Sequence, residues 1–165
     1  MNAARTVQDY CDRVLSGEIV TGELQRAAVK RYLQDMQRTR EKGCPFVFDP
    51  TRANFAVSFC GLLCFTKDEW AGKPFTLTPW QTFIVWNLFG FIDKETGFRR
   101  FHFVWIEIAR KNGKSEFAAA VEALLFFADN TNGAEVYSAA TKRDQAALIF
   151  DKVVFMVQAR PYLAK

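Results

Sequence analysis

Apolar positions in the first forty residues recur at helical spacing, with Lys and Arg filling the gaps, and the pattern predicts helix over residues 6–40. Ser16-Gly17 breaks it, and Thr21 with Glu23-Leu24 restarts it. In "GELQRAAVKRYLQDMQRTREKG" the positions Leu24, Ala27, Ala28, Tyr32 and Met36 share one face, and Gly43 ends the run. Residues 44–50 predict a linker. Residues 53–65, "ANFAVSFCGLLCF", predict an apolar helix. After a loop, residues 79–89 predict a second buried helix, with Thr78 as N-cap and Pro79 at its first position.

The pattern then changes. "DKETGFR" (93–99) predicts a turn around Gly97, and residues 100–108 read as a strand. A helix over 114–128 follows, then a turn at "NTNG", a short strand over 134–138 and a helix over 141–158. Strand, loop, helix, strand, helix is the order of an α/β domain with a parallel sheet. The chain contains no internal repeat and no low-complexity tract.

Composition narrows this picture only a little. With 165 residues, half of them hydrophobic, the chain can build a real core, and its 17 Phe and 4 Trp make that core aromatic. A net charge of +4 fits a nucleic-acid partner without demanding one. The dense set Lys30, Arg31, Arg38, Arg40 and Lys42 fits either DNA phosphates or a solvated helix face. The opening "MNAARTVQDYCDR" is polar and not a secretory signal, so the four cysteines read as reduced thiols in a cytoplasmic setting. Cys60 and Cys64, four apart, suit a core better than zinc, since His102 is the one histidine. The longest uncharged apolar run, "FIVWNLFGFI", is short of the roughly 20 residues a bilayer crossing takes.

Chemistry concentrates in "WIEIARKNGKSEFAAA" (105–120). A strand-like run enters a loop ending in Gly113-Lys114-Ser115 and leaves it as an alanine-rich helix. Loop amides wrap a phosphate, the helix N-terminus adds partial positive charge, and a lysine at the helix start adds a full one. The pattern G-x-x-x-x-G-K-[ST] is met except at its first position, where Ile108 stands for glycine. In this reading Gly113 permits the sharp turn, Lys114 reaches the β- and γ-phosphates, and Ser115 ligates Mg²⁺. A plain strand-turn-helix connection is the alternative.

"ARKNGKS" resembles the divergent Walker A of the large terminase subunits of tailed bacteriophages, in which the first glycine is commonly replaced and an arginine sits inside the loop. "FTLTPWQTFIV" resembles the segment ahead of that motif with its adenine-side glutamine, and "VYSAATKRDQAALIFD" resembles the strand and helix after it. Together they cover residues 75–151. The resemblance implies an ASCE-type P-loop NTPase core of α/β class with a parallel sheet, incomplete here, over residues 44–165, preceded by a helical region over 1–43. It implies ATP and Mg²⁺ as cofactors, and coupling of ATP hydrolysis to translocation of double-stranded viral DNA into a procapsid. The implied partners are the portal and the small terminase subunit, and the implied assembly is a homo-oligomeric ring. The implied place is the host cytoplasm, transiently at the portal.

By the same resemblance Lys114 and Arg110 are the catalytic cations, and Asn112 and Gly113 shape the loop. Lys111 either joins the phosphate or solvates the loop, and Arg110 is otherwise a surface arginine. Gln81 offers its amide to adenine, or else is a helix-start glutamine beside a core Trp80. Arg143 and Gln145 either sense nucleotide or DNA or lie on a solvated helix start. Glu107 and His102 read as structural. No later apolar strand ends in Asp-Glu, so the resemblance implies the N-terminal part of a larger ATPase and nuclease, with slow or no hydrolysis by this chain alone and one sheet edge exposed. Two readings stay beside it: another P-loop motor of helicase type, and a nucleotide- or DNA-binding module without turnover.

Overall fold

Asn2 opens the first helix by accepting the Arg5 amide on its side-chain oxygen (3.2 Å). That start belongs to a computed structural model that describes residues 2–129 and 133–163. The described elements are helices α1 (Ala3–Ser16), α2 (Glu23–Arg38), α3 (Pro50–Leu62), α4 (Pro79–Gly90), α5 (Lys114–Phe127) and α6 (Arg143–Gln158), with strands β1 (Phe46–Phe48) and β2 (Phe91–Asp93). They fall into two compact units: Met1–Val57 with Thr78–Val104, and Ser58–Leu77 with Trp105–Lys165.

In the first unit, Gly17 ends α1 in the left-handed region (φ 84°), where the sequence breaks its helical run. The buried face of α2 is rotated from the expected one. Val29, Tyr32 and Asp35 are buried, whereas Ala27 is exposed and Leu24 is 84% exposed. The rotation is permitted because Asp35 is ringed by arginines: Arg100 Nη1 lies 2.8 Å from its Oδ2, and Arg38 Nη1 lies 3.4 Å from its Oδ1. Arg31 approaches the same carboxylate at 4.0 Å. Two members of the basic set considered for DNA are therefore also structural, while Lys30, Arg40 and Lys42 are exposed.

Within the expected linker at 44–50, residues 46–48 form strand β1, antiparallel to β2 with Val47 opposite Ile92. α3 starts three residues earlier than its apolar run. Asp49 accepts the amides of Thr51 (2.8 Å) and Arg52 (3.1 Å), and Pro50 follows at the first helical position. Tyr32 packs edge to face on Phe48, Phe83 and Phe91, Phe48 and Phe91 do the same with centroids 5.0 Å apart, and Phe48 also meets Trp86 at a tilt. Trp86 Nε1 donates to Tyr32 Oη (3.1 Å), so the buried indole is satisfied. Asp93 holds the following turn by accepting from Thr96 N (2.8 Å), Thr96 Oγ1 and Glu95 N, and these bonds, the Thr96 amide foremost, hold its carboxyl below the usual carboxylate range.

The parallel sheet expected from 100–108 and 134–138 does not form among the described residues. Arg99, just ahead of the first run, bridges to Ile92 and the Arg100 amide donates to Phe91 O (2.9 Å), but neither run forms a strand, and Phe103 and Trp105 are 96% and 89% exposed. A buried parallel strand needs ladder partners alongside it, and the one described sheet, β1 with β2, includes neither run. What stands is a mixed helix and sheet architecture with a two-stranded antiparallel sheet. Of the turn expected at "NTNG" (130–133), residues 130–132 lie outside the described residues, and Gly133 has a left-handed backbone (φ 72°).

In the second unit α5 packs on α6. Its buried residues are Phe117, Ala119, Ala120, Ala123 and Leu124. Phe75 N donates to Leu63 O (3.0 Å) and Phe65 stacks edge-on against Phe75, which closes the 63–75 loop on itself. All four thiols are buried. No helix among the described residues is long and apolar enough to cross a membrane.

Candidate functional site

The Ala109–Gly113 segment turns through two left-handed residues, Lys111 (φ 67°) and Gly113 (φ 72°). Glycine takes that conformation freely, but lysine does so only against a steric cost, and such outliers concentrate where backbone must face a ligand. Alternation of this kind points successive amides to one side, which is how short loops build an anion cradle. Asn112 Nδ2 reaches back to the carbonyls of Ala109 and Arg110, both at 3.4 Å, and so shapes the loop from within. Gly113 is the N-cap of α5 and provides no capping side chain, which leaves the helix start open to an external acceptor.

A cavity of about 290 Å³ opens over this helix start. Arg110, Lys111, Gly113, Lys114 and Ser115 line it, as the sequence expects. Asn112 does not line it. Three further side chains do: Lys67 from the loop after α3, Glu116 from the first turn of α5, and Lys152 from α6. Five cationic side chains thus face one carboxylate. That balance, in a pocket floored by a helix N-terminus, selects for a polyanion.

The carboxylate is already engaged. Thr66 donates to Glu116 through Oγ1 (2.6 Å) and through its backbone amide (3.3 Å). Lys152 Nζ donates both to Glu116 Oε1 and to Thr66 Oγ1 (2.7 Å). Lys152 is only 6% exposed, so its charge is compensated inside the protein and not by water. The sequence reading passed over this cluster. Its one legible signal is a lysine at position 152 of α6, on the same face as the half-buried Ile149 and the buried Met156.

Other candidates lie elsewhere. Arg143 and Gln145 are exposed at the start of α6 and do not line the cavity. Gln81 belongs to the first unit, on α4. It is buried, and its Oε1 accepts the Thr78 amide (2.8 Å), which closes the helix start. Glu107 and His102 are exposed on the run at 100–108.

The residues fit a nucleotide's phosphates with a cation carried among them. Ser115 offers a hydroxyl at the cavity wall, as a Mg²⁺ shared with phosphate oxygens and water requires. Among the described residues no group of three or more His, Cys, Asp or Glu is placed to cage a metal by itself.

Comparison with models of known families matches residues 79–165, more than half of the chain, to the terminase large subunit ATPase domain. The chain belongs to that family. The match begins at the first residue of α4, so the terminase ATPase region contains Gln81 as well as the loop and α5. Comparison with curated proteins and with solved structures gave no significant match. Membership carries with it nucleotide binding and a place in DNA packaging.

Proposed function

We propose that this terminase ATPase region binds Mg·ATP on the 109–115 loop and is the ATP-binding part of a motor whose ATP hydrolysis drives double-stranded DNA into a procapsid. The observation that carries the reading is the cavity at the start of α5, where two left-handed loop residues and five cations converge on one helix N-terminus. Lys114 neutralises the β- and γ-phosphates, and the amides of the loop and first turn hold their oxygens. Ser115 holds Mg²⁺, which when bound withdraws charge from the phosphate oxygens. Arg110, on the loop and at the cavity wall, faces the charge that develops on the transferred phosphoryl group. Gln81 keeps the adenine-side role that the family resemblance implies. The portal, the small terminase subunit and a ring of copies are the partners this reading calls for.

Calorimetry of Mg·ATP with the 165-residue chain tests it, with phosphate release followed in the same samples. Wild type binds, Lys114→Ala loses at least tenfold in affinity, and Gln81→Ala loses several-fold for ATP while keeping its affinity for pyrophosphate. Equal affinity of wild type and Lys114→Ala would remove the loop from the site.

A further inference from the structure

Lys152 is a buried cation that the loop motif does not account for. An ammonium group has three N–H donors. Among the described residues two are used, on Glu116 Oε1 and Thr66 Oγ1. The same side chain lines the cavity with Lys114 and Ser115. Thr66 completes a closed set, because its hydroxyl donates to Glu116 while accepting from Lys152. The arrangement therefore cancels the one carboxylate at the cavity wall and keeps one ammonium donor in reserve.

We propose that Lys152 is a phosphate-contact residue of this site: it neutralises Glu116 and directs its third N–H to a phosphate oxygen bound in the cavity. The inference rests on the phosphate-loop reading above and extends the site to α6, thirty-seven positions beyond Ser115. It gives the site a physical link from phosphate occupancy to a second helix, since the ligand and Glu116 share one cation. Lys67, exposed at the rim, lacks such a fixed geometry.

The test is calorimetric titration of inorganic pyrophosphate into the full chain, with thermal melts to verify folding. The variants are Lys152→Met, Glu116→Gln, the double E116Q/K152M, and Lys114→Met. Lys152→Met is expected to bind at least tenfold more weakly than wild type, because it removes a donor and leaves Glu116 unpaired against the anion. The double variant is expected to recover part of that loss yet to bind at least threefold more weakly than Glu116→Gln alone. Should Lys152→Met not fold, this second comparison decides, since neither of its variants carries an unpaired carboxylate. Equal binding by E116Q/K152M and Glu116→Gln would overturn the proposal, showing that Lys152 only offsets Glu116. Wild-type affinity in Lys152→Met with binding lost in Lys114→Met would overturn it too, leaving the loop intact as a site. No binding by wild type, or no effect of Lys114→Met, would instead fell the phosphate-loop reading and this inference with it.

Discussion

Cys11 and Cys60 show how far a single side chain's environment departs from its type. Burial pushes both thiols up from 9.0 to about 12, with desolvation the main cause at each. A neutral buried thiol is a poor nucleophile, so alkylation at pH 8 should leave both unmodified in the native chain and label them rapidly in denaturant. Rapid native labelling at either position would contradict the burial. The same shift sets a pH limit. The unfolded thiol ionises near 9 and the folded one near 12, so the stabilising contribution is whole below pH 9 and is lost as pH rises from there toward 12. Roughly 1 kcal/mol per thiol per pH unit is expected across that window. Urea midpoints at pH 8 and pH 10.5, compared with a Cys11→Ala/Cys60→Ala variant, measure it.

At the level of elements, α4 meets β1 through a missing side chain. A Cβ at Gly90 would overlap the Phe48 ring and press on Ala53. Gly90→Ala should therefore cost about 1–3 kcal/mol in a chemical denaturation curve, the usual penalty of overpacking a filled core. A neutral result would mean that the Phe48 ring moves freely. The same helix was easy to read at its other end, where Thr78, Pro79 and Gln81 spell a start. Helix α2 was half legible. Its period was right, but its face was displaced, because Asp35 is buried by arginines from its own helix and from residue 100. Charge pairing across elements is invisible to a hydrophobic pattern, so Leu24 was placed inside and Asp35 outside.

For the whole molecule, the run at 100–108 decides the character of the fold. It is expected to be the strand that feeds the loop, yet it forms no strand, and residues 102–107 are exposed. Exposed, unladdered backbone is the preferred substrate of a protease. Brief chymotrypsin treatment should cut first after Phe103 or Trp105, with buried Phe83 and Phe91 protected until unfolding. First cuts inside α4 or α5 would contradict this. In the second unit the cavity depends on three separate segments, the 66–67 loop, the start of α5 and the middle of α6, so its formation reports folding of that unit.

The sequence by itself determined where the helices lie, the start of α4 at Thr78-Pro79, the aromatic core and the Gly113-Lys114-Ser115 motif with its family. Those features depend on neighbours three or four positions apart, on fixed backbone preferences of Gly, Pro and Thr, or on a contiguous motif. Only the tertiary structure decided that residues 46–48 pair as a strand, that the apolar run at 100–108 forms no strand, and that Glu116, Thr66 and Lys152 close on one another. The reason is physical. Ladder bonds and buried ion pairs join residues far apart in the chain, Thr66 and Lys152 being 86 positions apart, and no local period encodes which distant group will arrive.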